Sequence, residues 1–224
     1  MCPVMRDQSP SLKIVCFGDS LTLGYQSPTL RAPFVENIPY GTYVQEWLGE
    51  RGRVLVHGVC GETTRDMRLR FQEDVLDHRP QIAIILGGTN DLGLDISLTT
   101  LMENLGFFYE QAQVHGIVPV AVTVPSLRDD AGQDEVFEKT QSLRLGITPA
   151  VERAIALRVV LNQSIKDLSR ERDIPVVDWF AETCEVGTQA LASEYSNDGL
   201  HLNTTGYRKL AELVWKQVLE NLLM

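Results

Sequence analysis

What this sequence lacks removes several kinds of protein from consideration. Basic residues are outnumbered: 20 Lys and Arg face 30 Asp and Glu, a formal net charge of −10. Gripping a phosphate backbone takes a concentrated basic surface, so no nucleic-acid partner is expected, and adsorption to an anionic membrane is disfavoured for the same reason. No run of eighteen apolar residues occurs, so no membrane-spanning helix is expected. The opening stretch, MCPVMRDQSPSLK, has neither the apolar run nor the small-residue cleavage site of a secretory leader, and a reducing cytoplasm is the expected compartment. The four cysteines (Cys2, Cys16, Cys60 and Cys184) form no CxxC pair, and no histidine stands at metal-finger spacing. A structural zinc is therefore not expected. Cys16 and Cys60 fall in apolar runs and read as buried small hydrophobes. Internal repeats, low-complexity tracts and an interdomain linker are missing too.

What is present is an ordinary globular composition. Of 224 residues, 44% are hydrophobic and 22% charged, enough to build one large core. A single domain over residues 1–224 follows, with 1–11 as an N-terminal extension and 126–148 as a variable loop. Short β-branched runs at 12–17, 54–59, 82–86, 117–124 and 174–177 alternate with amphipathic stretches, the pattern of βα units on a parallel sheet buried on both faces. Leu98, Leu101, Leu105, Phe108 and Ala112 recur at helical spacing, with Thr100 and Glu103 fitting a capping box. Thr63 and Asp66 offer another helix start. Residues 149–172 read as one helix, and the last helix carries Tyr207, Leu210, Val214 and Val218 behind a cap at Thr204 or Thr205. Two long connections, 25–39 and 126–148, stand out.

Four short segments gather glycine and polar residues where strands end or just before the last helix, the edge at which open α/β sheets bind ligands. They are Gly18-Asp19-Ser20-Leu21, Gly58-Val59-Cys60-Gly61-Glu62, Gly87-Gly88-Thr89-Asn90-Asp91 and Asp198-Gly199-Leu200-His201. Asp198 and His201, three residues apart, can share one side of a turn, where a carboxylate would orient an imidazole as a base. Ser20 offers a hydroxyl that becomes nucleophilic once a base takes its proton. Gly61, with no Cβ, can bring its N–H close to a substrate, Asn90 offers a side-chain amide, and the Ser20 N–H is a third donor. Losing one oxyanion donor typically raises a barrier by about 3–4 kcal/mol. Taken singly, each residue has an ordinary structural explanation: a helix cap, a capping Asp beside a surface His, a turn glycine, an Asn folded onto its own loop. Together they make a nucleophile, an oriented base and an oxyanion hole.

The blocks FGDSLTLGY, GVCGETT, GGTNDLG and DGLHLNTTGY, in that order, resemble those of the SGNH hydrolases, also called GDSL lipases and esterases. The resemblance runs from about residue 12 to the C-terminus, with Cys60-Gly61-Glu62 where Ser-Gly-Asp is more usual. It implies a flavodoxin-like three-layer α/β/α sandwich with a five-stranded parallel sheet in order 2-1-3-4-5. It further implies Ser20 as nucleophile, His201 as base oriented by Asp198, and an oxyanion hole of Ser20, Gly61 and Asn90, with no cofactor or metal. Asp19 would support the nucleophile loop. The implied activity is hydrolysis of small carboxylic esters, short-chain acyl or acetyl, through an acyl-enzyme. Thioesters and lysophospholipids are alternatives, and oligomeric state is left open.

Rival readings lack their own signatures. A two-metal phosphoesterase would show Asp-x-His and Gly-Asn-His blocks. A nucleotide-binding module would show GK[ST] after the first glycine, and a flavin-binding one a hydroxyl-rich loop after the first strand. An α/β-hydrolase elbow needs G-x-S-x-G, where this chain has Thr22. A degenerate hydrolase kept as a sugar-binding scaffold would not retain every catalytic position. His57, His78 and His115 read as structural, and Asp91 and Asp95 as hydrogen-bonding loop backbone. Leu30, Phe34 and Ile38 either form an acyl pocket or cover the sheet edge.

Overall fold

The computed structural model describes residues 12–29, 33–128 and 147–223; the extension 1–11, Leu30 and most of the 126–148 connection lie outside the described residues. Its centre is a five-stranded, all-parallel sheet in the order β2-β1-β3-β4-β5, as expected. β1 (Leu12–Gly18) lies between β2 (Gly52–Gly58) and β3 (Ile82–Leu86), with β4 (Val118–Val122) and β5 (Val176–Val177) beyond. Gly18 stands opposite both Gly58 and Leu86, so three strands end level at one edge. Ile14 to Phe17 are wholly buried, because alternate side chains enter opposite helix layers. Phe17 packs edge-on against Phe71 and Phe108, while Cys16 lies on the other face against the helix carrying Gly41.

Two expected strands are shorter than their apolar runs, and hydrogen bonding explains both. Val124 donates its N–H to Asn162 Oδ1 at 2.7 Å, and its C=O accepts from Asn162 Nδ2 at 2.8 Å, which replaces a ladder partner. The Ile174 N–H turns back to Ser169 O at 2.8 Å, and Pro175 has no N–H to offer a neighbouring strand.

The helices are α1 (Ser20–Leu23), α2 (Tyr40–Leu48), α3 (Thr64–Phe71), α4 (Thr89–Gly93), α5 (Leu98–Val114), α6 (Ile147–Glu171), α7 (Trp179–Thr183) and α8 (Thr204–Val214). α2 and α7 pack on α8, and α3 and α6 pack on α5. Thr63 and Asp66 form the expected capping box. Two other caps differ from expectation by one to three residues. Ser97, not Thr100, caps α5, and Asn203 accepts the Gly206 N–H at the start of α8 in place of Thr204 or Thr205. Neighbouring Ser, Thr and Asn can all accept such a bond, so composition alone does not choose among them. No helix among the described residues is long and apolar enough to cross a membrane.

Candidate active site

The first strand leaves the sheet at Gly18, where a Cβ would lie 2.2 Å from Leu86 O and 2.3 Å from Thr22 Oγ1. Only glycine lets the following turn sit this close. Asp19 caps α1, its Oδ1 accepting the Leu21 N–H at 2.9 Å. Ser20 is thus the first residue of that helix, so the helical ladder makes no demand on its N–H. Its side chain is almost buried at the strand edge. The structure shows no hydrogen bond from the Ser20 hydroxyl to a described residue. Behind it, burial pushes the Asp19 carboxyl up to about 7, against the Leu21 N–H and the charge of His201. Asp19 Oδ2 is buried without a partner.

Asp198 and His201 sit in a loop ahead of α8 that is closed by a single bridge between Ser196 and Leu202. Asp198 Oδ1 accepts the backbone N–H groups of Leu200 and His201 at 2.8 and 2.7 Å. Its Oδ2 accepts from His201 Nδ1 at 2.8 Å and from the Ser27 hydroxyl. Burial works against charge on Asp198. The bonds from His201, Ser27 and Leu200 outweigh it and hold the carboxyl well below the usual carboxylate range. A carboxylate can only accept, so Nδ1 is the nitrogen that donates to Asp198, and Nε2 is the ring nitrogen left outside that bond.

Tyr25 joins the two halves. Its N–H donates to Ser20 O at 3.0 Å, and its ring meets the His201 ring at 4.6 Å and 69°. The Tyr207 hydroxyl donates to Tyr25 O at 2.6 Å, and Thr204 Oγ1 to Gln26 Oε1 at 3.2 Å. Residues 181 apart in sequence are therefore held at one edge through a shared neighbour.

Gly61 has a left-handed backbone, φ 79°, and is exposed with open space around the position a Cβ would take. Asn90 donates one side-chain N–H to Glu62 O at 2.8 Å, which leaves its second N–H for a ligand. Next to it, buried Asp91 accepts from the Thr64 N–H at 2.9 Å and the Thr64 hydroxyl at 2.6 Å. The second and third blocks are thereby locked together. Arg70 adds the first block: it donates to Gly18 O at 2.8 Å, His57 O at 3.2 Å, Glu62 at 2.7 Å and Asp74 at 2.6 Å, and lies over the Phe17 ring.

Sequence reasoning missed Arg70, Ser27 and the role of Tyr25. Tyr25 stood inside a quoted block; Ser27 carries no local signal, because its partner is 171 residues away, and Arg70 shows locally only as a helix i,i+4 pair with Asp74, which does not reveal its reach to Gly18 O. His57 pairs with Asp74 at 2.9 Å and His115 bonds Gln111 O, as structural histidines do. Cys60 is exposed, contrary to expectation. It falls in the turn beyond the last residue of β2, so its apolar neighbours in sequence are not packing neighbours. Phe34 is 95% exposed and covers no part of the sheet, whereas Ile38 packs on the core.

The serine, glycine and asparagine follow the ends of β1, β2 and β3, and the histidine–aspartate pair lies on the loop ahead of α8, joined to the serine's turn through Tyr25. The sequence matches the GDSL-like lipase/acylhydrolase family over residues 16–209, and the chain belongs to that family. It is an esterase-family hydrolase. Among curated proteins it is similar to the uncharacterized lipoprotein YqeF of Bacillus subtilis (strain 168), at 32% identity, with 74% of this chain and 69% of that protein covered. Its fold is similar to a GDSL-like lipase from Bacteroides thetaiotaomicron VPI-5482 (TM-score 0.70, 21% identity, 95% of this chain and 89% of that one). The lipase/acylhydrolase from Enterococcus faecalis is comparable (TM-score 0.69, 24% identity, 94% and 96%). So is a catalytic mutant of an acetylxylan esterase from Geobacillus stearothermophilus (TM-score 0.70, 20% identity, 92% and 93%).

Proposed function

We propose that the protein is a serine esterase that cleaves short-chain acyl or acetyl esters of small molecules through an acyl-enzyme. Ser20 Oγ attacks the ester carbonyl as His201 Nε2 takes its proton. Negative charge on the carbonyl oxygen is met by the N–H groups of Ser20 and Gly61 and the free N–H of Asn90. His201 then gives its proton to the leaving alkoxide, and the alcohol departs. Water attacks the acyl-Ser20 ester with His201 again as base, which releases the acid and returns the proton to Ser20. Asp198, held ionised, fixes the imidazole tautomer throughout. The observation that carries this reading is the 2.8 Å bond from His201 Nδ1 to Asp198, with Tyr25 bridging that imidazole to Ser20. Ser20 and His201 are linked through Tyr25 and share no hydrogen bond, and a bond between nucleophile and base often forms only when substrate is in place.

A fluorophosphonate probe is expected to label Ser20 and stop p-nitrophenyl acetate hydrolysis. Ser20→Ala and His201→Ala are each expected to cost roughly a thousandfold or more in kcat while the circular dichroism spectrum stays the same. Wild-type turnover in either variant overturns the assignment. A series of p-nitrophenyl esters of increasing chain length, with an acyl thioester and a lysophospholipid alongside, decides the substrate: fastest turnover of acetate or butyrate supports the proposal. Activity that survives strong chelation separates it from a metal-dependent phosphoesterase.

A further inference from the structure

Asp198 Oδ2 receives two side chains, and only one of them is the base. The other, Ser27, comes from 171 residues earlier in the chain, in the connection that follows the Ser20 helix. We propose that Ser27 is a positioning residue for the reaction: by donating to the oxygen that receives His201 Nδ1–H, it sets how firmly Asp198 holds and charges the base. The proposal rests on the Ser20–His201 reading above. Oδ1 is occupied by the loop itself, through the Leu200 and His201 N–H groups and the Ser196 hydroxyl at 3.3 Å, so Oδ2 is where a group from outside the loop can act on the pair. Ser27 is itself held in place. Tyr25 is tied to Ser20 O and to the Tyr207 hydroxyl, and Gln26 to Thr204 and to Glu36 O at 3.2 Å. Three consecutive residues after the nucleophile's helix thus fix the spacing between nucleophile and base.

Two donors on one carboxylate oxygen share its charge. With Ser27 gone, more of that charge falls on Nδ1–H, so the imidazole keeps its proton to higher pH, while Asp198 gains freedom to turn. Other groups acting on this pair are Asp19 from α1, whose charge is coupled to His201, Tyr25 from the same connection, and Tyr207 from α8, with Cys60 coupled to Asp19 and Tyr207. They are unchanged by the substitution.

The test compares the full chain with Ser27→Ala and Ser27→Thr, following p-nitrophenyl acetate hydrolysis against pH. Ser27→Ala is expected to lower kcat about tenfold with little change in KM. The acid limb of its kcat/KM profile is expected to move up by roughly half a pH unit. Ser27→Thr, which keeps the hydroxyl, is expected to restore both. In proton NMR, the low-field Nδ1–H signal of His201 should move further downfield in Ser27→Ala. An acid limb and an Nδ1–H signal unmoved in Ser27→Ala, whatever its rate, overturn the proposal. If Ser20→Ala hydrolyses as fast as wild type, the esterase reading fails instead, and the Nδ1–H signal still decides whether Ser27 acts on the pair.

Discussion

Two carboxyl groups approach the His201 imidazole, and their surroundings push them in opposite directions. Asp198 is partly buried but collects five bonds, from the His201 ring, the Ser27 and Ser196 hydroxyls and the Leu200 and His201 backbone, so it stays charged. Asp19 is fully buried, its Oδ1 takes the Leu21 N–H while its Oδ2 has no partner, and burial raises it from 3.8 to about 7. The native protein therefore binds more protons at Asp19 than the unfolded chain across that window. Its contribution to stability is full below about 3.8 and is lost as pH rises through about 7. Asp19→Asn keeps the acceptor for the Leu21 N–H and removes the titration. Its melting temperature relative to wild type is expected to rise between about pH 5 and about pH 8; a constant difference across that range would contradict the assignment. At this scale the sequence was partly readable. The pairing of Asp198 with His201 could be foreseen, because a spacing of three puts both on one turn. Ser27 could not, because its partner is remote and an Ser after Gln26 looks like any loop serine.

Arg70 acts between elements. Rooted on α3, it ties the ends of β1 and β2 to the Glu62 carboxylate beside Gly61, and Asp74 holds it from the other side. Removing it takes a donor from Glu62, Asp74, Gly18 O and His57 O, although Asp74 keeps His57 and Gly18 O keeps the Val59 N–H. Arg70→Ala is expected to cost about 2–3 kcal/mol in urea unfolding and to reduce kcat through the Gly61 loop. Lysine is not expected to substitute, since one ammonium cannot span four acceptors that a planar guanidinium reaches. A lysine variant with wild-type stability and kcat would argue against the brace. The elements themselves were legible in the apolar runs and the helical stripes, because burial on both sheet faces dictates composition. Their ends were less so: the length of β4 depends on Asn162, 38 residues away, and that of β5 on the Ile174 N–H turning back to Ser169, where several local acceptors compete.

For the whole molecule, a parallel sheet followed from the βα alternation and its strand order from the family resemblance. The relative solidity of the parts did not. Ser20 leaves a central strand laddered to β2 and β3, whereas His201 stands on a loop held by one isolated bridge, the Arg128 N–H on Gly199 O and the Ser196 hydroxyl on His201 O, and β5 has two residues. Nucleophile and base are thus mounted on supports of unequal strength, and local opening follows the weaker one. On gradual heating, ester hydrolysis is expected to fade several degrees before ellipticity does, with the amides around His201 exchanging hydrogen sooner than those of β1; coincident loss would mean that the two supports melt as one. A thermostable variant of this enzyme would then come from fastening the histidine's mounting, since reinforcing the barely yielding centre would leave the first failure where it is.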